Sequence, residues 1–518
     1  MKNTTSILPD DLQELKQIVR RYEQENNLLR EQVRLLYARI FGKKSEKGAD
    51  STSIQLPLFD MPEPEMEPEK EKIEVEPHTR QKAGRKKLPE SLPRVDVIHD
   101  ISEEEKVCAC GATLSRIGED VAEKLDIIPA VIQVIRNIRP KYSCKHCEGI
   151  ETKGAVVKIA PVPKQIIEKG ISTAGLLAHI LTAKFVDALP FYRQEKQFSR
   201  LGVDLPRATM CNWAMKAAEA CKPLLDLLQE VLFFGSLVNS DETTVQVLNE
   251  PGRLATTKSY MWVFRGGPPG KTVCIYHYDP GRSGNVAATF LKGYKGVVQT
   301  DGYAGYDFFD KLPDVAHAGC WAHARRKFMD IRKGSGKDSK AGSVDVALSY
   351  IQKIYAVEHE GKKKEYSPEQ MQQIRQEKSR PILEDFHKWL NKKSLQVAPK
   401  SLLGNAVSYT LKQWHRLIVY LDHGEVTPDN NAAENAIRPF VIGRKNWLFA
   451  GTPAGAAASA CLYSLIETAK ANSLEPYKYL RYLFEKLPLA SSGDDYRELL
   501  PMNLSMDDLT LSQVATGV

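Results

Sequence analysis

The feature that most constrains the fold is a succession of short β-branched runs in the middle of the chain. Leu237–Val247, Tyr260–Phe264 and Thr272–Tyr276 have the composition of strands, and the turn residues between them favour an antiparallel meander. A helix is predicted over Gly284–Leu291. A fourth strand then runs from residue 296 to 300 and leads directly into Asp301.

Three strands, a helix and a further strand form the order of the RNase H-like fold. In such a core Asp241 lies on the first strand and Asp301 follows the fourth. Neighbouring strands are about 4.8 Å apart, so the two carboxylates could share a metal ion. We therefore predict a core of this kind over 234–330, completed by residues 426–490.

A third carboxylate is predicted on a helix much later in the chain. Glu434 follows Asp429 and Asn430, either of which can cap a helix, and Pro439 is expected to end or kink it. Arg438 lies one turn after Glu434 and could contact a phosphate oxygen. Arg444 and Lys445 are further candidate phosphate contacts.

Three carboxylates brought together could hold two Mg²⁺ ions against a phosphodiester, because Mg²⁺ prefers hard oxygen ligands. This predicts an enzyme that cuts and joins DNA strands without a covalent protein intermediate. Each acid alone could instead be a turn, cap or surface residue. The rival ligands are Glu242, Asp307, Asp310 and Asp429.

The N-terminal residues 1–47 carry a heptad repeat. The a positions are Leu12, Val19, Asn26, Val33 and Ile40, and the d positions are Leu15, Tyr22, Leu29 and Leu36. A polar a residue such as Asn26 fixes register and favours a parallel dimer. We therefore predict a homodimeric coiled coil, with an amphipathic helix docked on its own domain as the alternative.

A flexible linker is predicted over 48–100, because this segment is rich in Pro, Glu and Ser. Its basic part contains Arg85 and Lys86 after a glycine, as in arms that enter the DNA minor groove. A solvated charge run is the alternative.

Two cysteine pairs in residues 101–160 predict a structural zinc site. Cys108 and Cys110 precede a β-branched stretch, and Cys144 and Cys147 follow it, as in a zinc ribbon. One residue rather than two separates the first pair, so His146 could replace one of its cysteines.

Residues 161–233 are predicted to be helical and to bind DNA. A helix over Tyr192–Leu201, a turn at Gly202 and a second helix beginning near Arg207 have helix-turn-helix spacing. Arg207, Thr209 and Asn212 lie early on the second helix, where they could contact base edges.

Between the second and third acids, a helical insertion is predicted over 331–425. Ahead of it, Cys320 and His323 could ligate a metal, although two ligands are insufficient and packing or substrate support is favoured. Arg325 and Arg326, on the same basic helix, are candidate DNA contacts.

The bulk composition agrees with a multidomain α+β protein. The chain has 518 residues and a formal net charge of +7, which is only mildly basic. The absence of an export signal or a spanning apolar run predicts a cytoplasmic, nucleoid-associated protein in a reducing compartment. The last residues, 491–518, are expected to form a tail.

Several long motifs together resemble the insertion-sequence sixty-six family of bacterial transposases, in its large catalytic subunit. They are the Phe-Gly-x-Lys-Ser-Glu end of the heptad helix at 41–46, Gly-Arg-Lys-x-Leu-Pro at 84–89, Arg-Pro-Lys-Tyr-x-Cys at 139–144, Asp-Gly-Tyr-x-Gly-Tyr at 301–306, Cys-Trp-Ala-His-x-Arg-Arg at 320–326, Asn-Asn-Ala-Ala-Glu at 430–434 and Gly-Arg-Lys-Asn-Trp-Leu-Phe at 443–449.

The resemblance implies a DDE active site on Asp241, Asp301 and Glu434, a zinc-binding domain, binding to terminal inverted repeats and accessory proteins from the same element. The family commonly separates its first cysteines by two residues, which leaves the role of Cys108 open. Two alternatives stand beside the transposase: a relic that binds DNA without cutting it, and a nuclease that hydrolyses DNA without joining it.

Overall fold

The computed structural model describes residues 12–41, 132–143, 157–334 and 342–509. The chain divides into two units, one of 1–46 with 137–518 and one of 47–136. Of the second unit only residues 132–136 are described. Arg85, Lys86 and the predicted zinc ligands Cys108, Cys110, Cys144 and Cys147 with the alternative His146 lie outside the described residues.

A mixed five-stranded sheet forms the centre of the first unit, in the order β5–β4–β3–β6–β7. The described strands are β1 (Lys141–Ser143), β2 (Val157–Ile159), β3 (Leu237–Gln246), β4 (Lys258–Gly266), β5 (Val273–Asp279), β6 (Gly296–Gln299) and β7 (Val315–Ala318). Strands β3, β4 and β5 are antiparallel neighbours, whereas β6 and β7 run parallel to β3. The predicted meander, helix and fourth strand are confirmed.

Helices surround the sheet. They are α1 (Leu12–Phe41), α2 (Ala174–Phe185), α3 (Phe191–Arg200), α4 (Arg207–Ala220), α5 (Lys222–Phe233), α6 (Gly284–Phe290), α7 (Trp321–Gly334), α8 (Ser343–Lys363), α9 (Pro368–Ile374), α10 (Arg380–Ser394), α11 (Leu402–Lys412), α12 (Trp414–Leu417), α13 (Asn431–Trp447), α14 (Pro453–Ala471), α15 (Pro476–Lys486) and α16 (Gly493–Glu498). A π-helical turn over Arg375–Ser379 joins α9 to α10.

Both faces of the sheet are covered. Successive residues of a strand point to opposite sides, so neighbouring residues enter different cores. On β6, Val298 belongs to the hydrophobic core shared with α2–α5 and α13–α15. Its neighbour Val297 belongs to a second core, built with α7 and the insertion helices. This double burial explains why the strands are nearly continuous apolar runs.

The edge strand β5 is covered by α14. Ser464 Oγ and Thr468 Oγ1 accept hydrogen bonds from the backbone N–H groups of Tyr276 and Cys274, at 2.8 and 3.0 Å. The small residues of α14 permit this close approach, which protects the outer backbone of the sheet from pairing with another strand.

The two helices and the glycine turn that the sequence predicted are present as α3, α4 and their connection. Gly202 in the connection has φ +79°, a left-handed conformation that favours glycine. Glu195 on α3 accepts a hydrogen bond of 2.9 Å from the backbone N–H of Arg207, at the start of α4. This contact satisfies one of the free N–H groups at the helix N-terminus.

The helical insertion consists of α8–α12 and packs on the second core. Its first helix is α8. Arg375, the first residue of the π turn, is buried. It pairs with Glu358 at 2.7 Å and donates to the carbonyls of Tyr420 and His423. A buried guanidinium requires such partners.

The N-terminal helix α1 spans the predicted heptads and contacts α7. Its docking was the alternative to a coiled coil, yet the heptad positions with described side chains remain uncovered. Val19, Tyr22, Leu29 and Val33 are each more than half exposed. The described part of the apolar stripe is therefore open to solvent.

A small two-stranded sheet flanks the second cysteine pair in sequence. Residues 132–140 have no regular secondary structure, and β1 pairs antiparallel with β2, which follows the second cysteine pair.

Residues 491–509 of the predicted C-terminal tail include α16 and pack against the first core. After α16, the side chains of Leu499, Leu500 and Leu509 are buried in the first core. In the described part of the chain, no helix is long and apolar enough to cross a membrane.

Candidate active site

Asp241 and Asp301 lie just beyond the point where the pairing of β3 with β6 ends. Strands β3 and β6 are parallel, with Asn239 paired to Gln299. Asp241 and Asp301 each come two residues after this pair, so the equal spacing along adjacent strands brings them together. Asp301 Oδ1 accepts a hydrogen bond of 2.9 Å from the backbone N–H of Tyr303.

A buried network of amides connects the two strands to α13. Asn239 Nδ2 donates to Gln299 Oε1 at 2.8 Å and to Asn430 Oδ1 at 3.1 Å. Asn430 Nδ2 donates to the carbonyl of Ser240, and Gln299 Nε2 to that of Thr427. All three acid-bearing segments are therefore joined immediately beside the acids.

Glu434 lies in the first turn of α13, where the helix dipole favours a carboxylate. Asn430 occupies the predicted cap position, but its side chain makes no capping bond because it is used in the amide network. Pro439 does not end the helix, which continues to Trp447.

The pKa of Asp241 reflects this crowding. Burial raises the pKa to about 7, and the neighbouring carboxylates of Glu242, Asp301 and Glu434 add to the increase. A cation would relieve the repulsion among these groups, so the electrostatics favour a metal site over an apolar contact.

Each of the four rival acids is bound to another side chain, although Glu242 also lies beside Asp241. Glu242 binds Arg282 at 2.6 Å and accepts from Tyr306. The other pairs are Asp307 and Asp310 with Arg416, and Asp429 with Tyr355. Their contacts are structural, which leaves Asp241, Asp301 and Glu434 as the better candidates.

The tightest cluster of metal-ligating groups is a different one. Among the described residues, one trio of His, Cys, Asp or Glu has its ligand atoms all within 4.8 Å of one another, namely Cys320, His323 and Glu434. The arrangement of Asp241, Asp301 and Glu434 is looser. The linear sequence does not show that Glu434 lies beside Cys320 and His323.

The candidate DNA contacts differ in exposure. Two of these side chains, Thr209 and Arg325, are half-buried. Five others are exposed, namely Arg207, Asn212, Arg326, Arg438 and Lys445. Arg444 is also half-buried and donates to the hydroxyls of Thr243 and Thr244 on β3, at 3.2 and 3.1 Å. Its guanidinium therefore supports the strand that carries Asp241.

Sequence reasoning missed the buried amides, although a signal was present. Leu237-Val-Asn-Ser-Asp241 and Val297-Val-Gln-Thr-Asp301 repeat one pattern of two apolar residues, an amide, a hydroxyl and an aspartate. An amide inside a buried strand needs a partner, and the repeat indicates that the two amides pair.

We expect Asn239→Ala to lower the free energy of unfolding by about 2 kcal/mol, because it leaves two buried acceptors without their donor. Urea denaturation measures the change. Asn391→Ala is the control, since this exposed side chain donates only to the carbonyl of His387. Equal, small losses in both variants would contradict the role of the network.

Comparisons with known proteins give a consistent result. The family model described as "Transposase IS66 family" matches residues 169–458. The zinc-finger binding domain of transposase IS66 matches 105–148, "Transposase C of IS166 homeodomain" matches 28–97, and the IS66 C-terminal element matches 464–502. No solved structure matches the chain at a significant level.

Relatives from Sinorhizobium fredii (strain NBRC 101917 / NGR234) cover most of the chain. The uncharacterized protein y4jD is 33% identical over 97% of this chain and 98% of its own length. The uncharacterized protein y4hP is 32% identical over 78% of this chain and 74% of its own length.

Proposed function

Because the chain belongs to the IS66 transposase family, we propose that it binds the terminal inverted repeats of its insertion sequence and cleaves and joins their strands with Mg²⁺. The family assigns a transposase role with DNA binding. One arrangement supports the proposal of Mg²⁺-dependent cleavage and joining. Asp241 and Asp301 occupy equivalent positions along parallel strands, and buried amides join these strands to the helix of Glu434.

The core is proposed to be RNase H-like. Support comes from the sheet order, in which an antiparallel meander is followed by a helix and two strands parallel to β3. In such a core, Asp241 lies on β3, Asp301 follows β6 and Glu434 lies on α13. The helical insertion falls between Asp301 and Glu434.

Asp241, Asp301 and Glu434 fit Mg²⁺ because all three offer hard carboxylate oxygens. When bound, two such ions would activate the attacking oxygen and stabilise the leaving oxygen. A two-ion site distributes its ligands over ions about 3.5–4 Å apart, so the outer carboxylates need not converge on one point. The amide network holds their backbones in place.

DNA would be bound on several surfaces. Arg438 lies one helical turn after Glu434 and is exposed, which suits a phosphate beside the acids. Arg326 and Lys445 are exposed as well. Arg325 and Arg444 would act through neighbouring protein groups, whereas Arg85 and Lys86 are proposed as a minor-groove arm on sequence grounds alone.

We expect Arg207→Ala and Asn212→Ala each to weaken specific end binding by about 1–3 kcal/mol, through lost base contacts of α4. Competition binding against unrelated DNA measures the specific part. Lys222→Ala removes an exposed cation that pairs with Glu219 and is the control. An unchanged preference for end DNA in the α4 variants would refute base reading by this helix.

The match of the zinc-finger model supports a structural zinc ion held by Cys108, Cys110, Cys144 and Cys147. We expect Cys147→Ser to lose about one zinc ion per chain relative to the unmodified protein, since a structural site needs its full ligand set. Elemental analysis measures it. Equal zinc contents would remove this site.

A homodimer through the heptads of α1 is proposed because its described stripe residues are exposed. Pairing of two chains would bring together two element ends. Accessory proteins of the same element are a further proposal, resting on the family alone.

The deciding experiment incubates the full chain with DNA carrying both element ends, target DNA and Mg²⁺. The expected result is a joined product that disappears when Mg²⁺ is chelated. Hydrolysis without joining under all conditions would favour a nuclease, and end binding without any cleavage would favour a relic.

A further inference from the structure

Cys320, His323 and Glu434 belong to two helix N-termini that meet beside the proposed Mg²⁺ site. Cys320 immediately precedes α7, and His323 follows three residues later on the same face. Glu434 comes from the first turn of α13. Their ligand atoms lie within 4.8 Å of one another.

The imidazole of His323 is available for a ligand. Its Nδ1 is buried and has no hydrogen-bond partner among the described residues. Its Nε2 lies 3.9 Å from Glu434 Oε1, which is too long for a hydrogen bond. The imidazole therefore has a ring nitrogen beside Glu434 that could ligate a cation.

The sulfur of Cys320 is held in place. It accepts a hydrogen bond of 3.2 Å from the backbone N–H of Asn430, which fixes it against the start of α13. The sulfur therefore faces His323 and Glu434 from a fixed position, with ligand atoms of all three residues within 4.8 Å of one another.

We propose that these three side chains form a second metal site, selective for ions of the Zn²⁺ and Cd²⁺ class, that competes with Mg²⁺ for Glu434. Thiolate and imidazole ligands select such ions over Mg²⁺. The competition rests on the proposed function, because it assumes that Glu434 also serves the Mg²⁺ site. Occupation by the softer ion would therefore inhibit strand transfer.

Cadmium titration of the full chain without DNA tests the site itself. The unmodified chain should bind one more Cd²⁺ than Cys320→Ser and show stronger thiolate-to-cadmium absorption. Serine can still accept the hydrogen bond from the backbone N–H of Asn430, so the contact between residue 320 and the start of α13 is kept. His323→Gln, at a partly exposed position, is a second variant in case the first does not fold.

The control is Cys461→Ser, which replaces another buried thiol. Cys461 Sγ lies 3.5 Å from the carbonyl of Ala218, a contact that a hydroxyl can also make. This variant should bind Cd²⁺ as the unmodified chain does. If Cys320→Ser and His323→Gln also bind the full amount, the site is refuted.

Inhibition of strand transfer by Cd²⁺ tests whether the two kinds of ion compete for Glu434. With Mg²⁺ present, the Cd²⁺ concentration that halves strand transfer should rise about 100-fold in His323→Gln, relative to its own uninhibited rate, because one ligand is lost. Equal inhibition in both proteins would overturn the competition. If the chain binds the extra Cd²⁺ but never transfers strands, the proposed function fails while the metal site stands.

Discussion

Asp301→Asn is expected to reduce strand transfer by about a thousandfold or more, since a Mg²⁺ ligand supplies several kcal/mol of transition-state stabilisation. Asparagine keeps an oxygen that can accept the hydrogen bond from the Tyr303 N–H, so the turn after β6 retains its geometry. The neutral amide is nevertheless a much weaker ligand for a hard cation. Strand transfer on end-containing DNA at saturating Mg²⁺ measures the loss.

Asp314→Asn is the control for this variant. Asp314 lies just before β7, is more than half exposed and pairs with Lys295 at 3.1 Å. Exposed ion pairs contribute little, so activity and stability should remain near those of the unmodified chain. A residual activity of Asp301→Asn within tenfold of the unmodified chain would exclude Asp301 as a metal ligand.

Arg416→Met should lower the free energy of unfolding by about 3 kcal/mol or more, because breaking a buried pair leaves its partners uncompensated. Arg416 is buried and binds Asp307 at 2.7 Å as well as Asp310. Its backbone carbonyl accepts from Gly319, which precedes Cys320. The insertion and the sheet are thus joined at this residue.

The effect of Arg416→Met should depend on pH. Partial burial opposes ionisation of Asp310, but hydrogen bonds from Arg416 and His317 hold its pKa well below the usual range. A depressed pKa contributes stability above the unfolded pKa of about 3.9, and this contribution is lost as the pH falls below it. The difference between the two proteins should therefore be largest near neutral pH and shrink in acid.

Urea denaturation over a pH series measures this difference. Arg380→Met is the matched control, because Arg380 and Asp422 form an arginine–aspartate pair in the same insertion with both side chains well exposed. Its loss should stay within about 1 kcal/mol at every pH. A similar cost for both substitutions would show that the buried cluster adds no special stability.

Local patterns in the sequence were sufficient for the elements that carry the acids. The strands, α6, the α3–α4 hairpin and the helix of Glu434 could be predicted because periodicity and turn residues are properties of short segments. The end of the Glu434 helix was less accurate, because the helix continues past Pro439 to Trp447.

Contacts between distant segments could not be predicted in the same way. The pairing of Asn239 with Gln299 and Asn430 spans up to 191 residues and depends on the parallel register of β3 and β6. Register follows from which faces are buried, and that requires the packed sheet. Arg444 likewise turned out to support β3 from within the protein.

The sequence by itself determined the kinds of chemistry available, because residue type decides which groups can ligate a cation or contact DNA. It also determined the order of the elements that carry Asp241, Asp301 and Glu434. Only the tertiary structure decided which groups meet, since α7 and α13 converge through packing on the sheet. That convergence brings Glu434 to Cys320 and His323, a neighbourhood invisible in the linear order.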